Sequence, residues 1–100
     1  MCEFKIIKKN DGSQIMEEIV ILSYNEKNEL VLRDVLGMGE TLESALILDV
    51  NTMNQKCVIL ENPIIKDFIS LITKISVNQV TGIDIDKVIA KLEELKEDLN

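Results

Sequence analysis

The chain has 100 residues, 46% of them apolar, and a formal net charge of −7 from 18 acidic and 11 basic side chains. This length predicts one domain, or one domain with an appendage, whose core is aliphatic because only Phe4, Phe68 and Tyr24 are aromatic. The negative charge disfavours general nucleic-acid binding, which depends on Lys and Arg against phosphates, and disfavours docking on anionic lipid.

The first sixty residues have the pattern of short strands separated by turns. "EFKIIKK" is a strand candidate, and "NDGS" is a turn because Asp and Gly tolerate positive φ. "IMEEIVILSYN" follows as a strand, then the polar turn "NEKNE" and the strand "LVLRDVLG", where Gly37 and Gly39 mark a turn or bulge. "ETLESALILDV" supplies one or two strands, "NTMNQ" is a turn and "KCVILE" ends the set. Strands with this spacing predict a small barrel or meander, and an SH3-like barrel of about five or six strands fits the length.

The periodicity changes after Pro63. Apolar residues recur at helical spacing from Ile64 onward, and proline is tolerated at a helix start. "SVNQVTG" interrupts this helix, and Asp84 or Asp86 is the favoured cap of a second one, with Thr81 a less favoured earlier cap. The apolar positions of the second helix, alternately three and four residues apart, are Ile85, Val88, Leu92, Leu95 and Leu99.

That spacing is a heptad seam with two interpretations. The favoured one is an amphipathic helix packed on the first helix or on the barrel; the other is a helical hairpin that packs against its mate in a dimer. The predicted fold is therefore α+β: an SH3-like β-barrel over residues 1–62, then a pair of α-helices as an extension over 63–100.

The residue types present restrict the chemistry. The chain contains no histidine, which removes the commonest metal ligand and the usual general base. Its two cysteines, Cys2 and Cys57, are too few for a four-cysteine zinc site within one chain. Carboxylates are abundant, but nothing in their spacing singles out an acid–base pair, so we expect no enzyme.

The N-terminal segment predicts a cytoplasmic protein. Charges at Glu3, Lys5 and Lys8 interrupt any apolar run there, so no signal peptide is expected. No apolar stretch is long enough to span a membrane. Both thiols are then expected to be reduced, and Cys57, inside "KCVILE", is expected to be a buried core residue rather than a ligand.

Cys2 is the candidate metal ligand. If Met1 is removed, the α-amine and the thiolate of Cys2 form a five-membered chelate, and two chelates from a symmetric dimer supply two nitrogens and two sulfurs. This donor set suits Ni(II) or Cu(II). If Met1 is retained, a deprotonated Cys2 amide nitrogen takes the place of the amine, and binding depends more on pH. Spacing alone favours the alternative, a cysteine without a role at the start of an edge strand.

Four segments together resemble the CooT family of small nickel-binding proteins. They are "MCEFKII", "NDGS", "EEIVILSYNEKNELVLRDVLG" and "ALILDVNTMNQKCVILE", which cover residues 1 to about 61 in order. The resemblance implies SH3-like barrels that dimerise and bind one Ni(II) per dimer through the cysteine after the initiator methionine, here Cys2. It also implies nickel supply to an enzyme such as carbon monoxide dehydrogenase. The extension over 63–100 is absent from the minimal family barrel.

Two other functions remain open. Some members of that family carry the label predicted RNA-binding protein, and Lys5, Lys8 and Lys9 could form a local basic patch. The lack of an aromatic platform and the net charge make nucleic-acid binding the weaker hypothesis. The third hypothesis is an adaptor that docks a larger protein through its helices. With the resemblance to the CooT family, the favoured expectation is a cytoplasmic homodimer that serves nickel delivery or storage.

Overall fold

A computed structural model describes residues 3–100 and shows an α+β fold, as predicted. Over these residues, seven strands precede two helices. The strands are β1 (Phe4–Lys8), β2 (Ser13–Ile19), β3 (Ile21–Tyr24), β4 (Leu30–Arg33), β5 (Gly39–Leu42), β6 (Ala45–Asn51) and β7 (Lys56–Glu61), and the helices are α1 (Pro63–Ser76) and α2 (Gly82–Asp98). The structure changes from strands to helices at Pro63, as the periodicity of the sequence predicts.

The strands form two sheets. The first has four strands in the order β2-β1-β7-β6, with β1 and β7 parallel, and the second has three antiparallel strands in the order β3-β4-β5. Within the described residues neither sheet closes on itself. The seven strands exceed the expected five or six, because "IMEEIVILSYN", predicted as one strand, forms two.

The chain changes sheets at Val20, between β2 and β3. Ile19 is buried opposite Phe4 in the first sheet, whereas Ile21 pairs with Arg33 in the second. The Val20 N–H donates to the Arg33 carbonyl at 2.9 Å, so pairing continues into the second sheet without a loop. Just before this point Glu18 has φ of 60°, within an irregularity of the β1–β2 pairing that turns the strand.

The core lies between the sheets and is aliphatic, as predicted. Leu30 and Leu32 of β4 are fully buried while the alternating Val31 and Arg33 are half-buried, as a strand with one core face requires. The buried cluster consists of Phe4, Ile6, Ile19, Leu30, Leu32, Ala45, Cys57 and Ile59.

One hydroxyl also joins the two sheets. Tyr24 at the end of β3 donates to the Ala45 carbonyl at 2.7 Å and accepts from the Ile47 N–H at 3.3 Å, and both partners lie in β6.

The helix caps differ in part from the prediction. Asn62 caps α1 by accepting from the Ile64 N–H at 3.0 Å, with Pro63 in the first turn. Thr81, not Asp84 or Asp86, caps α2, so the favoured cap is wrong. The reason is a reciprocal capping box, in which the Thr81 hydroxyl accepts from the Asp84 N–H and the Asp84 carboxylate accepts from the Thr81 N–H.

The helices form a hairpin beside the first sheet. α1 contacts both α2 and β6, so the packing of the second helix on the first is confirmed, and the pairing of the hairpin with a mate stays a prediction. Ile65 and Val88 are the residues of this hairpin that are buried. No helix within residues 3–100 is long and apolar enough to cross a membrane.

Candidate functional site

Cys2, the predicted metal ligand, lies outside the described residues. The structure does describe the segment that follows it in the sequence. Glu3 is exposed, Phe4 is buried opposite Ile19, and the Lys5 N–H donates to the Gln55 carbonyl at 2.9 Å. β1 therefore starts between β2 and the turn that leads into β7, held on both sides from its first residues.

The described residues contain no metal site of their own. Across residues 3–100 no group of three or more Cys, Asp or Glu side chains is arranged to hold a metal ion. A site of the kind predicted would need donors from Met1 or Cys2, or from a second copy of the chain.

The other thiol, Cys57, is enclosed in the core, as predicted. It lies on β7 between Ile6 of β1 and Val50 of β6, and no part of it is exposed. Burial, followed by the nearby Asp49 carboxylate, raises the pKa of the Cys57 thiol. The thiolate form that binds soft metals is therefore disfavoured at this position.

The three lysines proposed as a basic patch are dispersed. Lys5 and Lys8 are three residues apart on β1 and so point to opposite faces of the sheet. Lys8 pairs with Glu61 at 3.8 Å, and Lys9 follows the end of the strand. This arrangement offers no continuous track for a phosphate backbone.

An open groove of about 760 Å³ lies where β1 and β7 meet the helices. Four of its six charged groups pair with one another: Lys8 with Glu61, and Lys91 of α2 with Asp67 of α1. The other two are Glu43 and Lys66, and Lys66 pairs with Glu29 at 4.0 Å. The groove is therefore close to balanced in charge along its walls.

The start of α1 lines this groove, but its first N–H groups are already bonded. The Ser44 hydroxyl donates to the Asn62 carbonyl and accepts from the Lys66 N–H at 2.9 Å, while the Ile64 N–H is capped by Asn62. Sequence reasoning missed Ser44 and Asn62, although Asn before Pro is a recognisable helix-start signal. The groove is a structural junction that orients the hairpin.

The hairpin has an exposed apolar side. α1 contributes three side chains and α2 another three, each set at spacings of four and three residues and so on one side of its helix. We call these six residues the hairpin apolar face: Phe68, Ile72, Ile75, Ile85, Ile89 and Leu92. Sequence analysis placed Ile85 and Leu92 in the seam but missed Ile89; Val88 instead turns toward α1 and is buried.

Searches against models of protein families and against curated proteins gave no match to this chain. The likeness of the N-terminal segments to the CooT family therefore supports a proposal and does not assign a family.

Proposed function

We propose that this protein binds Ni(II) through Cys2 at the interface of a cytoplasmic homodimer and serves nickel delivery or storage. The observation that supports this most is the burial of the alternative thiol. Cys57 is enclosed in the core with a raised pKa, and the chain has no histidine, so Cys2 is left as its candidate thiolate ligand.

The chemistry of the proposed site is ligand capture and exchange. Cys2 loses its thiol proton, and its thiolate supplies a soft donor together with the α-amine, or with the amide nitrogen if Met1 is retained. Two chains then provide two sulfurs and two nitrogens. Transfer to a nickel enzyme, such as carbon monoxide dehydrogenase, proceeds by exchange of these ligands. The net charge of −7 attracts cations weakly.

The proposal includes the SH3-like barrel that the resemblance implies for residues 1–62. Two features support it: the chain passes directly from one sheet to the other at Val20, and Tyr24 bonds β3 to β6. The two sheets thus share one core, as the walls of a small barrel do.

The test is a Ni(II) titration of the purified protein with its N-terminus defined by mass spectrometry. We expect thiolate-to-nickel charge-transfer bands that saturate at about one metal per two chains, as the proposed set of two thiolates and two nitrogens requires. Cys2→Ser should abolish the bands. Cys57→Ala, the matched control, should keep them because that thiol is buried.

Two results would contradict the proposal. One is the absence of charge-transfer bands both with Met1 removed and with Met1 retained. The other is a titration in which Cys2→Ser binds nickel as the unmodified chain does, which would place the ligands elsewhere.

A further inference from the structure

We infer that the hairpin apolar face is a self-association surface, which pairs with the same face of a second copy about a two-fold axis. The inference does not rest on nickel or on Cys2. It begins from the exposure of six large apolar side chains on one side of a two-helix unit. Their exposed fractions are 37% for Phe68, 58% for Ile72, 48% for Ile75, 41% for Ile85, 46% for Ile89 and 43% for Leu92.

The other side of the hairpin carries charged side chains. Lys74 of α1 pairs with Asp84 of α2 at 3.0 Å, and Lys91 of α2 pairs with Asp67 of α1. The same two helices thus join by ion pairs on one side and expose aliphatic and aromatic groups on the other. Such a division is the pattern of a surface that packs against protein.

The exposed area matches what a dimer needs. Six large apolar side chains at nearly half exposure present roughly 500 Å² per copy, or roughly 1,000 Å² for two copies, which reaches the lower limit of specific interfaces. This area lies in the upper part of the range of about 300–600 Å² for the largest apolar patch of a monomer, and patches of that size often bind a partner. A second copy supplies the same area, so neither surface is left open.

Charges beside the face fit an antiparallel pairing of α2 with its symmetry mate. If the helices cross between Ile89 and Leu92, Ile89 of one copy lies opposite Leu92 of the other. Asp86 of one copy then lies level with Leu95 of the other and one residue from its Lys96, twice by symmetry. A parallel pairing would instead bring Asp86 against Asp86 and Lys96 against Lys96, which repel. Glu93 and Glu97 lie on the same side of α2 as Asp86, so Asp86 and Lys96 form the attractive pair at this edge, and that pair favours the antiparallel arrangement over the parallel one.

The first test is sedimentation equilibrium of the full chain in a chelator, so that no metal contributes. We expect a species of twice the 11.3 kDa chain mass. Ile89→Glu should give monomers because it places a charge at the crossing. Ile83→Glu is the matched control, since Ile83 is also an exposed apolar residue of α2, at 67%, but lies off the face.

Circular dichroism of each variant establishes that the hairpin is still helical. A monomeric unmodified chain would overturn the inference and favour the adaptor hypothesis, in which another protein covers the face. A dimer that survives Ile89→Glu would overturn it as well.

The second test addresses the register. Asp86→Lys and Lys96→Asp should each weaken the dimer by about fivefold, as expected for exposed ion pairs, and the double variant should restore it. Equal dissociation constants for all four proteins would overturn the antiparallel register. Cys2→Ser should remain dimeric in the chelator. A loss of nickel binding without a loss of the dimer would therefore count against the nickel proposal alone, and a loss of the dimer would count against this interface.

Discussion

The sheets and the hairpin are stabilised in different ways. Between Phe4 and Glu61, eight apolar residues are buried in one cluster. The hairpin over 63–100 has only Ile65 and Val88 buried among its described residues, and relies on caps and exposed ion pairs that contribute little individually. The sheets therefore have a core of their own, whereas the hairpin leaves an apolar side exposed.

The largest loss of stability in the sheets is expected from a substitution of Gly39, at the start of β5. Gly39 has φ of 156°, and a Cβ there would lie 1.9 Å from the Leu32 carbonyl oxygen, so the backbone of two paired strands would have to move. We expect Gly39→Ala to lower the free energy of unfolding by about 4 kcal/mol or more, measured by urea denaturation.

The control is Gly12→Ala in the β1–β2 turn. Gly12 also has positive φ, 76°, but beyond its two chain neighbours no heavy atom lies within 4 Å of the added Cβ. Only conformational strain remains, which costs about 1 kcal/mol. Equal losses in the two variants would show that the strands around Gly39 adapt, and that the sheets are less rigid than their packing indicates.

Cavity formation gives the next largest contrast. Leu32 is fully buried in the sheet core, whereas Val88 is 7% exposed and lies in the two-helix hairpin. Leu32→Ala should cost about 3–4 kcal/mol, and Val88→Ala about 1.5 kcal/mol, since fewer buried carbons are removed from a thinner core. Urea denaturation followed by circular dichroism measures both. A larger loss at Val88 than at Leu32 would contradict the comparison.

The link between the two sheets is a smaller effect. The Tyr24 hydroxyl bonds both the Ala45 carbonyl and the Ile47 N–H, so Tyr24→Phe leaves two β6 backbone groups short of a partner. We expect a loss of about 1–2 kcal/mol in the free energy of unfolding. In Tyr24→Phe, hydrogen exchange should accelerate more at the Ile47 amide than at the Leu32 amide, which the hydroxyl does not contact. Unchanged exchange at Ile47 would show that water replaces the hydroxyl.

Sequence reasoning predicted the local elements better than their assembly. The alternation of Leu30 and Leu32 and the turn "NDGS" identify strands because period and turn chemistry are local properties. The division at Val20 was missed, since the apolar run from Ile19 to Leu22 indicates burial but not which sheet receives each residue. That choice depends on pairing with Arg33, thirteen residues after Val20 in the printed sequence.

The sequence predicted less of the candidate functional surfaces than of the strands and helices. Cys2 rests on donor chemistry and family resemblance, and it lies outside the described residues. The apolar seam of α2 was identified, but its orientation depends on where α1 lies, which heptad spacing cannot specify. Packing on α1 buries Val88 and leaves Ile89 exposed on the opposite side of the seam. The exposed face of α2 therefore follows from tertiary contacts.

The smallest expected effect is a pH dependence confined to the hairpin. The Asp84 carboxylate bonds Lys74 at 3.0 Å and accepts from the Thr81 N–H at 3.0 Å. The hydrogen bond from Lys74, followed by those from Thr81, lowers the pKa of Asp84 from 3.8 to about 2. Because the unfolded chain binds this proton more readily, the contribution of Asp84 is complete above pH 3.8 and is lost as the pH falls toward about 2.

Far-ultraviolet circular dichroism during acid titration measures this loss as a decrease in helix content. Asp84→Asn should have fewer helical residues above pH 3.8 and change less below it, because the amide does not titrate. The matched control is Asp11→Asn in the sheets. Asp11 also has a lowered pKa, held mainly by the Ser13 hydroxyl, but lies in the β1–β2 turn. If Asp11→Asn altered the acid loss of helix and Asp84→Asn did not, the hairpin would depend on the sheets rather than on its own cap.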